Sequence, residues 1–209
     1  MALAAIYWVA MNITKAVIAS LLVSGCAAST PASPRTVPEV KPTASIVPAM
    51  TKLAFMHGVW KGTAEGTTRE GKHYKVTQTE RMGPMLGGDV IVIEGRGYEP
   101  DGTTSFNAFA VASWNQHTEK YELRSYAQGM AGTFDLELTA DGYVWQVPAG
   151  PDAVIRFTAT VTADHWREVG EYVANGRPPV PNFEMNLRRV GETDWPLTTP
   201  VSPDVVGSR

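Results

Sequence analysis

Between residues 51 and 190 the side chains alternate in character with a period of two. Ile155, Phe157, Ala159 and Val161 stand against Arg156, Thr158, Thr160 and Thr162. Phe134, Leu136 and Leu138 stand against Asp135, Glu137 and Thr139, and Phe183, Met185 and Leu187 against Glu184, Asn186 and Arg188. Successive side chains of a strand point to opposite faces, so each run describes a strand with one apolar and one polar face. Turn signals separate the runs: Glu70-Gly71, Gly87-Gly88, Pro100-Asp101-Gly102, Asn115-Gln116, Gly129, Asp141-Gly142, Gly150-Pro151-Asp152, Ala163-Asp164 and Gly176-Arg177-Pro178-Pro179. Nine turns divide the segment into ten strands. The one helical pattern is Pro48 to His57, where Met50, Leu53, Ala54 and Phe55 suit a short helix ahead of the first strand.

Crossover helices are absent from this pattern, so neighbouring strands pair antiparallel as a meander. Strands in up-and-down order tend to close on themselves, because closure removes exposed edges. The pattern therefore predicts an all-β fold: an up-and-down antiparallel β-barrel of about ten strands with a short N-terminal helix. A two-sheet sandwich is the alternative, although its strands are usually shorter and joined by Greek-key connections. Side chains fill a barrel of about eight strands, so a larger one holds a cavity unless loops or large aromatics plug it. The expectation of a binding cavity rests on that strand count.

The flanks read differently. Residues 1–25 carry a single charge, Lys15, followed by the apolar run Ala16 to Val23 and then Ser24-Gly25-Cys26. These are the parts of a secretory signal peptide, and the run is shorter than the roughly 20 residues that cross a bilayer. A retained N-terminal helix stays open, and Met11 makes a more typical start than Met1. Val23-Ser24-Gly25-Cys26 resembles the lipobox of bacterial lipoproteins. That resemblance implies a diacylated Cys26 as the mature N-terminus and a membrane anchor. Ala27-Ala28 lacks the Asp of an inner-membrane retention signal, so the expected address is the outer membrane, facing the periplasm. An ordinary signal peptide with an incidental Cys would instead release the domain. Residues 26–50 carry Pro31, Pro34, Pro38, Pro42 and Pro48 and read as a tether, which extends to roughly 70 Å at most. Residues 191–209, with Pro196, Pro200 and Pro203, read as a loosely packed tail. One domain is left, 51–190.

Composition narrows the function classes. Of 209 residues 44% are hydrophobic and 19% charged, with net charge −3, which excludes a fully disordered chain or a multi-span helical membrane protein. A charge this near zero gives nucleic acid no basic surface to bind. A single Cys excludes an internal disulfide.

Gly58-Val59-Trp60 on the first strand, after a short helix and with a basic residue on the last strand, resembles the calycin pattern of lipocalins and fatty-acid-binding proteins. The resemblance implies that Trp60 packs across one barrel end under Arg188 or Arg189. Gly58-Val59-Trp60-Lys61-Gly62-Thr63-Ala64 is also similar to the opening of nitrobindin-like haem barrels, with Ala64 in place of a third Gly. A family of uncharacterised bacterial secreted domains shares this opening, the Leu86-Gly87-Gly88 turn, the Gly102 to Phe106 hairpin and the Asn115 to Lys120-Tyr121 stretch. The likeness spans residues 50–190 and speaks to fold.

Candidate chemistry is sparse. Haem in nitrobindin-like proteins is held by a His on a late strand, yet Val180 to Val190 has none, and His165 opens the preceding strand beside a turn. His57, His73 and His117 fall at junctions or loops. No cofactor is therefore expected, with haem kept as an alternative. His165 and Glu168, three apart on a strand, face opposite ways, and no metal-ligand cluster is visible. Neither a nucleophile elbow nor a phosphate loop is present, so catalysis is not expected. Glu94, Arg96 and Tyr98 share a strand face with Val90 and Val92; Arg156 and Glu168 are similar candidates on later strands. Facing water, they would be ordinary surface residues. Facing inward, they would have to be paired, since an isolated buried charge is costly. Such a pair in an apolar pocket would suit a small hydrophobic or amphipathic ligand carrying an acid group, such as a fatty acid. A plugged barrel would instead point to a structural or partner-binding role, with Tyr126, Trp145 and Trp166 as the aromatic patch to examine.

Overall fold

A computed structural model describes residues 45–68 and 70–196. The signal segment, Cys26 and most of the Pro-rich stretch lie outside the described residues. Ten strands follow one helical turn, α1 (Val47–Thr51). They are β1 (Gly58–Thr67), β2 (His73–Met85), β3 (Val90–Tyr98), β4 (Thr104–Asn115) and β5 (Lys120–Ala127). The second half holds β6 (Met130–Leu138), β7 (Gly142–Pro148), β8 (Ala153–Val161), β9 (His165–Ala174) and β10 (Val180–Gly191). Each strand pairs antiparallel with its sequence neighbours, and β1 pairs with β10 to close the cylinder. The nine connections fall on the nine turn signals. The tightest is Gln128-Gly129, where both residues hold positive φ (47° and 84°), as a type I′ hairpin turn requires.

Strand direction sorts the molecule into two ends. The turns after β2, β4, β6 and β8 share one end with α1, and those after β1, β3, β5, β7 and β9 form the far rim. The first end is sealed. Met50, Leu53 and Met56 are buried there, whereas Ala54 is exposed and Phe55 half-buried. The α-helical turn gives way to a 3-10 turn at Ala54–Met56, and the tighter pitch carries the apolar stripe on to Met56. The Tyr121 hydroxyl donates to the Ala49 carbonyl at 2.7 Å, tying the helix to β5.

Trp60 and Arg189 complete the seal. The guanidinium lies 4.1 Å from the centre of the Trp60 ring, a cation–π contact of about 0.5–2 kcal/mol. It also donates to the carbonyls of His57, Phe55 and Ala163. Trp60 Nε1 donates to Met56 O at 3.1 Å. Arg188 points the other way, pairing with Asp164 at 3.0 Å with its side chain 70% exposed. Strand parity decides between them: Leu187 faces inward, so Arg189 does too. Beyond β10 the chain folds back over β2. Arg81 lies 5.6 Å from the centre of the Trp195 ring and pairs with Asp194, so the tail is packed as far as residue 196.

The cylinder leaves little room inside, which corrects the expectation of an open cavity. Trp60, Tyr143, Trp145, Phe157, Trp166 and Phe183 point into the lumen, each no more than 3% exposed. They meet ring to ring: Trp60 with Trp166 at 5.7 Å, Trp145 stacked on Phe157 at 4.6 Å, Phe157 with Phe183 at 6.0 Å. The opposite wall is small: Gly95 and Gly97 on β3, Ala108, Ala110 and Ala112 on β4, Ser125 and Ala127 on β5. Ala110 and Ala112 are fully covered. Large residues against small ones fill the cylinder despite its ten strands. Exposure among the inward residues near the far rim stays at 6–7%, at Phe106, Ala108, Ala127 and Val147.

One seam is incomplete. β6 and β7 pair only through Leu136–Leu138 with Trp145–Tyr143, beside their turn. Toward the far rim residues 131–135 of β6 pair with β5 alone, and residues 146–148 of β7 with β8 alone. The wall is split there.

Candidate functional site

Glu94, Arg96 and Tyr98 alternate with Ile93, Gly95 and Gly97, and it is the second set that enters the lumen. Of the two orientations the sequence left open for these three, the outward one holds, so they do not line the lumen. Pointing Ile91 and Ile93 at water and two charges at the core would reverse both transfer terms. Arg156 is likewise on the outer face, bound to Glu171 at 2.9 Å. Glu168 alone of the five is inside, at 0% exposure.

Glu94 and Arg96 nonetheless line a depression. Arg96 donates to Glu94 Oε1 through Nε at 3.0 Å and through Nη2, and Arg81 stands 3.7 Å from the same carboxylate. Beside this pair lie Asn107 and Phe109 of β4, Tyr126 of β5, and the Gln128–Ala131 hairpin, around an open groove of about 570 Å³. Phe109, Tyr126 and Met130 are 38%, 57% and 40% exposed, a concentration of apolar surface at one rim. Of the three aromatics flagged from the sequence only Tyr126 is outside; Trp145 and Trp166 are lumen residues. Phe109 and Met130 were missed, although strand parity opposite Ala108 and Ala110 assigns Phe109 to the outside.

The lumen holds a second polar group that the sequence reading found only in part. Tyr143 Oη donates to Glu168 Oε2 at 2.7 Å and Trp145 Nε1 to Oε1 at 3.0 Å. On β2, Gln78 and Glu80 point inward between Val76 and Met82. Gln78 Nε2 donates to Glu80 Oε1 at 2.9 Å. Their cross-strand partners are Gly97 and Gly95. A Cβ on Gly95 would stand 2.7 Å from Glu80 Oε1, so the glycines leave the shelf on which the two polar side chains lie. Burial pushes the Glu80 carboxyl up to about 7, with the nearby charges of Glu168 and Glu94 adding to the rise. Tyr143 is raised well above its ordinary value, first by burial and then by Glu168. Among the described residues no Lys, Arg or His side chain is buried, and two acids share the apolar interior. A ligand acid group would meet carboxyls there instead of an arginine, which removes the case for a fatty acid in the lumen.

The same survey bears on haem. His57 and His165 are half-buried near the sealed end, and His73 and His117 are exposed. No imidazole faces the lumen among the described residues, so they do not fit a haem held through His.

Comparison with known proteins supports the fold. The crystal structure of Rv2717c from M. tuberculosis is similar over 68% of this chain and 97% of that one, with TM-score 0.52 and 13% identity. At that identity the likeness speaks to the barrel and to nothing finer. No family model matches the sequence. No curated protein matches it either.

Proposed function

We propose that this protein is a binding barrel, held at the outer membrane by a lipid on Cys26, that takes a small hydrophobic or amphipathic molecule in its rim groove. The observation that supports it is the groove itself: exposed rings of Phe109 and Tyr126 and the Met130 side chain beside a charged Glu94–Arg96 pair. Apolar walls with a few polar groups suit a ligand with an oily body and a polar head.

The test is a titration of the purified domain with N-phenyl-1-naphthylamine, a neutral apolar fluorophore. Saturable enhancement with one site per chain is expected, weakened at least fivefold in Tyr126→Ser and Phe109→Ser. No saturable binding, or binding indifferent to both substitutions, overturns the groove as a small-molecule site. The same exposed patch would equally suit a protein partner, which is what the second outcome would favour. The anchor is checked separately: Cys26→Ser should move the protein from the membrane fraction to the soluble one.

A further inference from the structure

The rim groove is ordered enough to specify the head group of its ligand, on the premise that the groove is a small-molecule site. We propose that this ligand is a glycolipid-like amphiphile. Its uncharged sugar head sits at Glu94, Arg96 and Asn107, and its alkyl chain runs over Phe109 and Tyr126 to the β5–β6 hairpin.

The register lays the groove out as a graded track. Arg81, Glu94, Phe109, Tyr126 and Ala131 are successive cross-strand partners from β2 to β6, so they form one row on the outer face. Arg96 and Asn107 are partners in the next row. Polar groups therefore occupy the β3 end, aromatic rings the middle, and Met130 with Ala131 the β6 end. From Glu94 to Ala131 is three strand spacings, about 14 Å, which takes a sugar ring and a medium-length chain end to end. Phe109 and Tyr126 stand directly opposite each other, close enough to make one apolar floor.

Electrostatics select the head. Glu94 accepts two hydrogen bonds from Arg96 and lies 3.7 Å from Arg81, which also pairs with Asp194 at 3.3 Å. Two cations face two anions, so the polar end of the groove is close to neutral. A carboxylate head would compete with Glu94 for guanidinium groups already held, and an ammonium head with Arg96 for the carboxylate. Either exchange takes a charge out of water for little return. Hydroxyls need no such exchange. Each one donates and accepts, and the Glu94 oxygens, the Arg96 N–H groups and the exposed Asn107 amide answer both needs. A sugar ring adds a face of C–H bonds, which lies flat on the negative face of an aromatic ring such as Phe109.

The experiment is calorimetric titration of the folded domain, below micelle-forming concentrations, with octyl glucoside, octanoate, octyltrimethylammonium and methyl glucoside. The first three share a chain and differ in the head, and the fourth is the head without the chain. Octyl glucoside is expected to bind one per protein chain, at least tenfold tighter than any of the others. Glu94→Gln releases Arg96 and should turn the order around in favour of octanoate. Equal affinities for the three octyl probes, a charged head preferred by the wild type, or an unchanged order in Glu94→Gln overturns the sugar head. Methyl glucoside binding as tightly as octyl glucoside overturns the amphiphile in favour of a free sugar. The wild-type series decides even if the variant fails to fold. If N-phenyl-1-naphthylamine binds the groove and octyl glucoside does not, this proposal falls and the groove reading stands; if neither binds, both fall.

Discussion

Glu80 shows what a single residue can carry. Its carboxyl titrates near 4.5 in an unfolded chain and near 7 in the barrel, so between those values the folded state holds a proton the unfolded state has lost. Stability must then fall as pH rises through that window, by about 3 kcal/mol in full, and stay low above it. Burial is the main cause; Glu168 and Glu94 add to it by repelling the charge, and the hydrogen bond from the Gln78 amide opposes it. Glu80→Gln keeps the shape without the ionisation. The expected outcome is a variant no more stable than the wild type at pH 5 and more stable at pH 8, by thermal melts at both values. An equal difference at the two pH values would contradict it. This residue was legible in principle. Val76 and Met82 bracket Gln78 and Glu80 at even spacing, which marks the pair as inward, and Gly95-Arg96-Gly97 across the register marks the space they need. The same parity separates Arg189 from Arg188. What the linear pattern hides is how a face divides when both faces are mixed, as on β3, where Glu94 and Arg96 could be placed only once β2 and β4 were known.

At the scale of the element, turns were the most readable feature, because each rests on local chemistry: a glycine with positive φ or a proline that ends a strand. The extent of pairing between strands is not local, and nothing in the residues 130–148 announces that β6 and β7 part after three residues each. The β1–β10 seam makes a complementary case, since its tightness shows at its glycines, Gly62 above all. A Cβ on Gly62 would stand 2.0 Å from the Asn186 carbonyl oxygen and 2.9 Å from Leu187 Cα, both backbone atoms that cannot swing aside. Gly62→Ala must therefore push the closing strands apart, at an expected loss of about 2 kcal/mol or more. Gly191, also on this seam, has open space where its Cβ would be. Gly191→Ala is expected to stay within about 0.5 kcal/mol of wild type. Urea midpoints of the two variants decide the matter, and equal shifts would mean that the seam tolerates widening.

For the whole molecule the question is whether closure is a consequence of the packed lumen or a condition for it. The meander order made a closed cylinder the natural reading, but strand count could not say whether the lumen was hollow. That depends on ring volume, and six aromatic side chains from five strands fill what ten strands enclose. Those rings come from β1, β7, β8, β9 and β10, so removing β10 takes away Phe183, Met185, Leu187 and the Arg189 that covers Trp60. It also leaves β1 and β9 with unpaired edges, which invite aggregation. If closure is a condition, a chain ending at residue 179 should be insoluble or molten, with the tryptophan emission of solvent-exposed indoles. A synthetic peptide spanning residues 180–196 offers both edges their partner and returns the Arg189 and Trp195 contacts. Adding it should restore soluble protein and blue-shifted emission in a concentration-dependent way, and a peptide carrying Arg189→Ala should need a several-fold higher concentration. A truncated chain that melts cooperatively at the wild-type temperature would show that nine strands suffice, and that β10 lies on a core already formed.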